Sequence, residues 1–433
     1  MQLLPLLVLI YILNLIECNN IASARLANLE NDLGLTEKQY DTCISILYIG
    51  YISMQVPSNI ILSRIARPAY FLCGCMVVWG FLSACTGLTR NFTGLLLCRL
   101  LLGFAESAFF PGALYYISSW YTKKELALRI AFLQSGAQIG NAFGNLMAIG
   151  LLRLDGTFGI AGWRWLFLTE GIVTVSVALI SMLILPDLPS SSTSSHLNPE
   201  QHEFAIWRLQ RDAALRSPDE AAAVGLNMRG KIRGRISIWE VLQMVFVDGK
   251  VWMFLGVMMG ICKTPTLGYP RNMTLLLTAP PYILCCIFML LNGIHSDKTQ
   301  TRFNHIICPL TVATLAHAVI LSTTAVAPRY FAMLLLPASI FASMSVTWSW
   351  IFQTIDQPPE KRAAAFAFLN SICNSTNIWT SYLYTGPPQY LLAFSVNIVA
   401  LLPAMAFATL TKWHLKRLND AEEREGRKGR HVL

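Results

Sequence analysis

Charge is scarce in this chain of 433 residues. Asp, Glu, Lys and Arg together make up 13% of it, against 54% hydrophobic residues. That is too little charge to clothe a water-soluble domain of this length. Other features are missing as well. No Gly-x-x-x-x-Gly-Lys-[Ser/Thr] loop occurs, so the phosphate cradle of an ATP-driven machine is not expected. No loop carries zinc-ligand spacing and no nucleophile–base constellation stands out, so neither a metal, a cofactor nor an enzyme is expected. The 11 cysteines do not suggest a disulfide framework, because the count is odd. Cys73, Cys75, Cys85, Cys98, Cys285, Cys286, Cys308 and Cys373 all lie inside apolar runs, where thiols behave as small hydrophobes.

What the chain has instead is apolar length. Twelve stretches fall at 3–22, 40–62, 69–89, 93–118, 128–152, 163–186, 250–267, 275–294, 305–327, 329–352, 363–384 and 389–411. Most hold about 20 residues, the length of helix that crosses a hydrocarbon core roughly 30 Å thick. We number them segments 1–12. The net charge of +9 does not point to nucleic acid, because its placement follows the membrane. Threaded from inside to outside, 24 of the 33 Lys and Arg fall on the inner side. The positive-inside rule then puts both termini in the cytosol. Segment 1 lacks the basic start of a secretory signal, so it is expected to stay as a helix despite Ala22-Ser23-Ala24 resembling a cleavage site.

The inner loops repeat. Ser63-Arg64-Ile65-Ala66-Arg67 follows segment 2, and Ser296-Asp297-Lys298 with Arg302 follows segment 8. Tyr121-Thr122-Lys123-Lys124-Glu125 follows segment 4, and Pro358-Pro359-Glu360-Lys361-Arg362 follows segment 10. Two six-helix halves in parallel repeat account for this. The expected units are a first bundle over 1–186, a cytosolic loop over 187–248, a second bundle over 249–412 and a cytosolic tail over 413–433. The loop opens on Ser190–Ser195 and then offers one short helix from Asn198, with Pro199 in its first turn, suited to the membrane surface.

Several motifs in order give the chain a family look. Gln55-Val56-Pro57-Ser58-Asn59 closes segment 2. Segment 4 carries Cys98-Arg99-Leu100-Leu101-Leu102-Gly103-Phe104-Ala105-Glu106 and then Phe110-Pro111-Gly112. Gly162-Trp163-Arg164-Trp165-Leu166-Phe167 and Glu170-Gly171 open segment 6, and Leu277-Thr278-Ala279-Pro280-Pro281-Tyr282 opens segment 8. With these the chain resembles the major facilitator superfamily, and within it the fungal anion:cation symporters of nicotinate, pantothenate and allantoate. The resemblance implies an all-α membrane protein of about 12 transmembrane helices in two six-helix bundles. It also implies proton-coupled uptake of a small organic anion across a lipid bilayer, in the plasma membrane and as a monomer. Three departures stand out. Glu17-Cys18 occupies the place of the family's Asp-Arg, the family's N-terminal tail is missing, and segment 7 is clipped where Pro265 follows Lys263.

Charge inside hydrocarbon is costly, so each such residue is a candidate. Counted at 1.5 Å per residue, Glu17, Arg99, Glu170 and Lys263 fall at one height, and Glu106 sits two turns from Arg99 on the same face. Arg99 and Lys263 are candidates to attract a carboxylate, and Glu17, Glu106 and Glu170 to carry a proton. The plainer reading of Arg99, Glu17 and Glu170 is a permanent interhelical lock. Asn370 and Asn374 on one face of segment 11 and Trp350 in segment 10 are candidate substrate contacts, with plain packing as the alternative for Trp350. Arg64, Arg67, Lys123, Glu125, Asp297, Glu360 and Arg362 are candidate gating latches. Gly136, Gly140 and Gly144 are expected to serve helix packing, and His317 to be a satisfied core residue. An exporter of secondary metabolites and a non-transporting, receptor-like relative remain the other readings.

Overall fold

The structure, a computed structural model, describes residues 3–25, 27–65, 67–122, 125–186, 188, 199–214, 237–261, 271–323, 325–355, 359–380 and 391–424. Every regular element among them is helical. In chain order they are α1 (Leu3–Arg25), α2 (Leu29–Asp32), α3 (Glu37–Arg64), α4 (Pro68–Gly87), α5 (Phe92–Glu106), α6 (Phe109–Trp120), α7 (Leu126–Leu152) and α8 (Gly162–Ile184). Then come α9 (Pro199–Ala214), α10 (Ile238–Val247), α11 (Gly249–Ile261), α12 (Arg271–Thr299), α13 (Phe303–Ser322), α14 (Val326–Thr354), α15 (Pro359–Thr380) and α16 (Leu391–Arg424). One short 3₁₀ turn, Thr157–Gly159, precedes α8.

Local chemistry sets several boundaries. Thr36 and Gln39 form a reciprocal capping box at the start of α3, which satisfies two orphan backbone donors. Asn91 of the Asn91-Phe92-Thr93 sequon accepts from Gly94 N at 2.8 Å and so caps α5. Segment 4, expected as one helix, is interrupted between Glu106 and Phe109. Pro111 has no N–H to offer the Ser107 carbonyl, and the ladder loses a rung there. Ser107 and Ala108 keep right-handed helical angles, so α5 and α6 still form one crossing.

The helices pack as two groups. In the first, α4 lies on α8, α3 on α5 and α1 on α7. In the second, α14 lies against α12 and α13, and α16 against α11 and α13. The groups meet along α7–α12 and α3–α15. The glycine stripe of α7 is a packing surface, as expected. Added Cβ atoms at Gly136, Gly140 and Gly144 would meet Val8, Ile12 and Ile16 of α1. The closest approach is at Gly103, where a Cβ would stand 2.2 Å from the Leu47 carbonyl oxygen.

Among the described residues, eight helices are long and apolar enough to cross a bilayer unaided, and nine if α10 and α11 count as one bent span. The expected 12 crossings are not all legible by hydropathy. α7 carries Gln134, Gln138 and Asn141, and α15 carries Asn370 and Asn374. Both helices lie between the two groups, where protein rather than lipid surrounds their polar side chains. Of segment 7 the structure describes residues 250–261. α11 has 13 residues, about 20 Å of helix. Lys263 and Pro265 lie outside the described residues.

The stretch between the groups holds α9 where it was expected, and also α10, which was not. The signal for α10 was present: Ser237 and Glu240 form a second capping box ahead of an apolar run.

Candidate functional site: a buried charged layer in the first half

α1, α5 and α8 bring the intramembrane charges together. Glu17, Arg99 and Glu106 are each 1% exposed and Glu170 is 2% exposed. Seven residues separate Arg99 from Glu106, nearly two turns, so both face inward from α5. Cys18 Sγ donates to Glu106 Oε2 at 3.0 Å. Asn20 Nδ2 donates to Glu170 Oε2. The Arg99 guanidinium lies over the Phe167 ring, 5.7 Å from its centroid. Glu17 is within electrostatic reach of Glu106, Glu170 and Arg99. Arg99 in turn feels Cys18, Glu106, Tyr40 and Cys43.

The layer is not closed by its own hydrogen bonds. Among the described residues, Arg99 Nε and Nη2, Glu106 Oε1 and Glu170 Oε1 have no hydrogen-bond partner; Glu17 has only the Thr174 hydroxyl beside it. No hydrogen bond joins Arg99 to any of the three carboxylates; Glu17 and Glu106 act on it through longer-range attraction. Buried polar groups left this way are costly unless something arrives to satisfy them. The fourth expected member, Lys263, lies outside the described residues. Cys18, read in the sequence only as a departure from a family pattern, is the direct partner of Glu106.

A second group of side chains joins the halves. Asn370 Nδ2 donates to Tyr51 Oη at 3.3 Å, and Ser371 Oγ to Gln55 Oε1 at 2.7 Å. Tyr51 also lies within electrostatic reach of Cys18 and Glu106. Asn374 turns back on its own helix, donating to the Asn370 carbonyl at 2.9 Å. Trp348 of α14 meets the first half. Trp348 sits edge-on to Phe110 at 5.9 Å, whereas Trp350 sits edge-on to Phe254 at 5.3 Å, inside its own half. Two residues along a helix turn about 200°, so the pair faces opposite ways. His317 is in the core, its Nδ1 2.8 Å from the Ala313 carbonyl.

The gating candidates divide. Asp297 works across the halves: Oδ2 accepts from Leu128 N of α7 at 2.9 Å, while Oδ1 pairs with Arg302 at 2.9 Å. Arg302, fully buried, also reaches Ser296 Oγ at 2.7 Å and Gln353 Oε1 at 3.2 Å. It is the hub of this latch, and its place five residues after Asp297 was the available signal. Glu125 pairs with Arg129 at 3.7 Å and with Arg208 of α9 at 3.6 Å. Arg67 lies over the Tyr70 ring at 5.6 Å. Arg362 and Glu360 lie within electrostatic reach of Tyr115. Arg64 is at the end of α3, and Lys123 lies outside the described residues. The neighbouring Lys361, not singled out from sequence, pairs with Asp248 at 2.7 Å.

The Major Facilitator Superfamily model matches residues 7–381. The chain belongs to the major facilitator superfamily. Among relatives in this superfamily, the MFS-type transporter efuF of Hormonema carpetanum is 27% identical over 429 residues, spanning 96% of this chain and 85% of its own. The MFS-type transporter cnsO of Penicillium expansum is 28% identical over 447 residues, spanning 96% and 82%. The solved structure of the proton:xylose symporter XylE bound to 6-bromo-6-deoxy-D-glucose superposes with a TM-score of 0.69 at 15% identity, over 96% of this chain and 94% of that one. A bacterial homologue of the lysosomal transporter Spinster, inward-facing and unoccupied, gives 0.60 at 17% identity, over 95% and 96%. The major facilitator fold, the integral multi-pass character and the transporter role are thereby fixed, and superfamily members of this kind are not enzymes.

Proposed function

We propose that this transporter takes a small organic anion across the membrane together with a proton, by alternating access. The observation that carries the reading is the unsatisfied layer: a buried guanidinium with two unpartnered nitrogens beside carboxylates with unpartnered oxygens. An arriving carboxylate supplies acceptors to Arg99, and protons supply what Glu17, Glu106 and Glu170 lack. The Glu106–Cys18 bond and Tyr51 link that layer to Asn370 on the second half, so a change of protonation reaches the surface along which the halves move. Units 1–186 and 249–412 act as the two moving bodies, with 187–248 between them. Asp297 and Arg302 hold one end shut. The basic loops and both termini face the cytosol, in the plasma membrane. The anionic substrate class rests on the resemblance to the anion:cation symporters, and proton coupling is in keeping with XylE, a proton symporter of the same fold.

The test is uptake of labelled nicotinate, pantothenate or allantoate by cells lacking their own vitamin permeases, with and without an inward proton gradient. Gradient-dependent accumulation of a carboxylate supports the reading. Uptake that ignores the gradient, or net export of the same compounds, refutes it.

A further inference from the structure

We propose that α10 is an in-plane helix seated at the phospholipid boundary, between headgroups and acyl chains, and not an upper part of the α11 crossing or a water-exposed linker. α10 and α11 meet at an angle of 71° across a break at Asp248. With α11 along the bilayer normal, α10 lies about 19° from the membrane plane, within the usual tilt of membrane helices.

The bend is built rather than frayed. Asp248 pairs with Lys361 of α15 at 2.7 Å, and its Oδ1 accepts from Lys250 N at 3.0 Å at the start of α11. Trp252 Nε1 of α11 donates to the Phe246 carbonyl of α10 at 2.8 Å. Phe246 and Trp252 both sit edge-on to Phe368 of α15, at 5.0 and 5.9 Å. Val241 and Val245 are buried.

The other side of α10 is apolar and uncovered. Trp239 is 74% exposed and Val247 77%, and Ile238 and Met244 are exposed with them. Soluble surfaces rarely leave so many large apolar side chains open on ten residues without an occupant. Direct continuity with a membrane-spanning helix supplies one, because α11 starts two residues beyond Val247. Tryptophan is also the side chain that favours that depth, and Trp239 and Trp252 mark both arms of the bend. The consequence is mechanical. α11 and α15 are tied to a float on the bilayer surface, so their depth follows the interface when the halves move.

Purified protein in vesicles containing brominated phosphatidylcholine tests this. The difference between the parent and Trp239→Phe reports the depth of position 239. Adding Val247→Trp to Trp239→Phe reports position 247. Eight residues separate the two, about 12 Å of helix, so an in-plane α10 places them within about 4 Å in depth. The expected result is quenching of both by bromine near the headgroup, more than by bromine deep in the chains. Depths differing by about 12 Å, or quenching by aqueous acrylamide with none by brominated lipid, overturn the proposal. Trp239→Tyr replaces Trp239→Phe if the latter folds poorly.

Discussion

Replacing Gly103 by alanine tests whether the charged layer depends on how closely α3 and α5 approach. The added Cβ would stand 2.2 Å from Leu47 O and 2.9 Å from Tyr51 N. Both are backbone atoms and cannot rotate away. Ordinary contact begins near 3.4 Å, so the helices must part by roughly 1 Å. Overpacking of this kind costs about 1–3 kcal/mol. The first half has about the size for which 1 kcal/mol shifts Tm by roughly 2–4 °C, which puts the expected fall at about 2–12 °C. The movement carries Arg99 and Glu106 on α5 away from Cys18, and shifts Tyr51 on α3 against Asn370. Transport is therefore expected to fall by more than the lost stability explains. Thermal unfolding in detergent and initial uptake in vesicles measure both effects. Gly74→Ala is the control, because no atom lies within 4 Å of the added Cβ; it should hold or slightly raise stability. A Gly103→Ala protein with parental Tm and parental uptake would refute the close approach and the layer built on it.

Arg99→Gln should abolish uptake while the protein still reaches the membrane; unchanged affinity and pH dependence would leave Arg99 a packing residue. Asp297→Asn keeps the side-chain shape but weakens the charged bonds to Arg302 and Leu128 N, and should raise labelling of that end of the molecule by a water-soluble thiol reagent at an introduced cysteine. Labelling equal to the parent would exclude a latch there. Tyr51→Phe removes the bridge to Asn370 and is expected to alter the pH profile of transport with little change in Tm, whereas a changed Tm and an unchanged profile would make Tyr51 structural only. A reporter fused after Leu433 should read as cytosolic; an extracellular reading would overturn the proposed threading.

The fold was largely legible because its determinants are local. Apolar length, basic loops and glycine spacing each act within one segment, and each can be read along the chain. What failed was the choice of neighbour. Trp350 could be named as an aromatic of segment 10, but its ring partner Phe254, 96 residues earlier in the chain, could not. Cys18 could be seen to replace an arginine, but not to bond Glu106 on a helix 88 residues away. The bend at Asp248 stayed hidden because its partner, Lys361, is 113 residues distant. The height shared by Glu17, Arg99 and Glu170 could be counted. That no hydrogen bond would join Arg99 to the carboxylates could not.

The polar character of α15 also bears on how the chain is made. A helix with Asn370 and Asn374 near its middle is a poor substrate for partition into lipid on its own. Its polar atoms find partners in Tyr51 and Gln55, synthesised 319 and 316 residues earlier. At about 5–20 residues per second, the ribosome needs roughly 15–60 s to cover that distance. The amino-terminal helices therefore wait in the membrane as a template, and late helices enter the bilayer by docking onto them. Loss of α3 should then show itself first as failed insertion of α15, long before any question of transport arises.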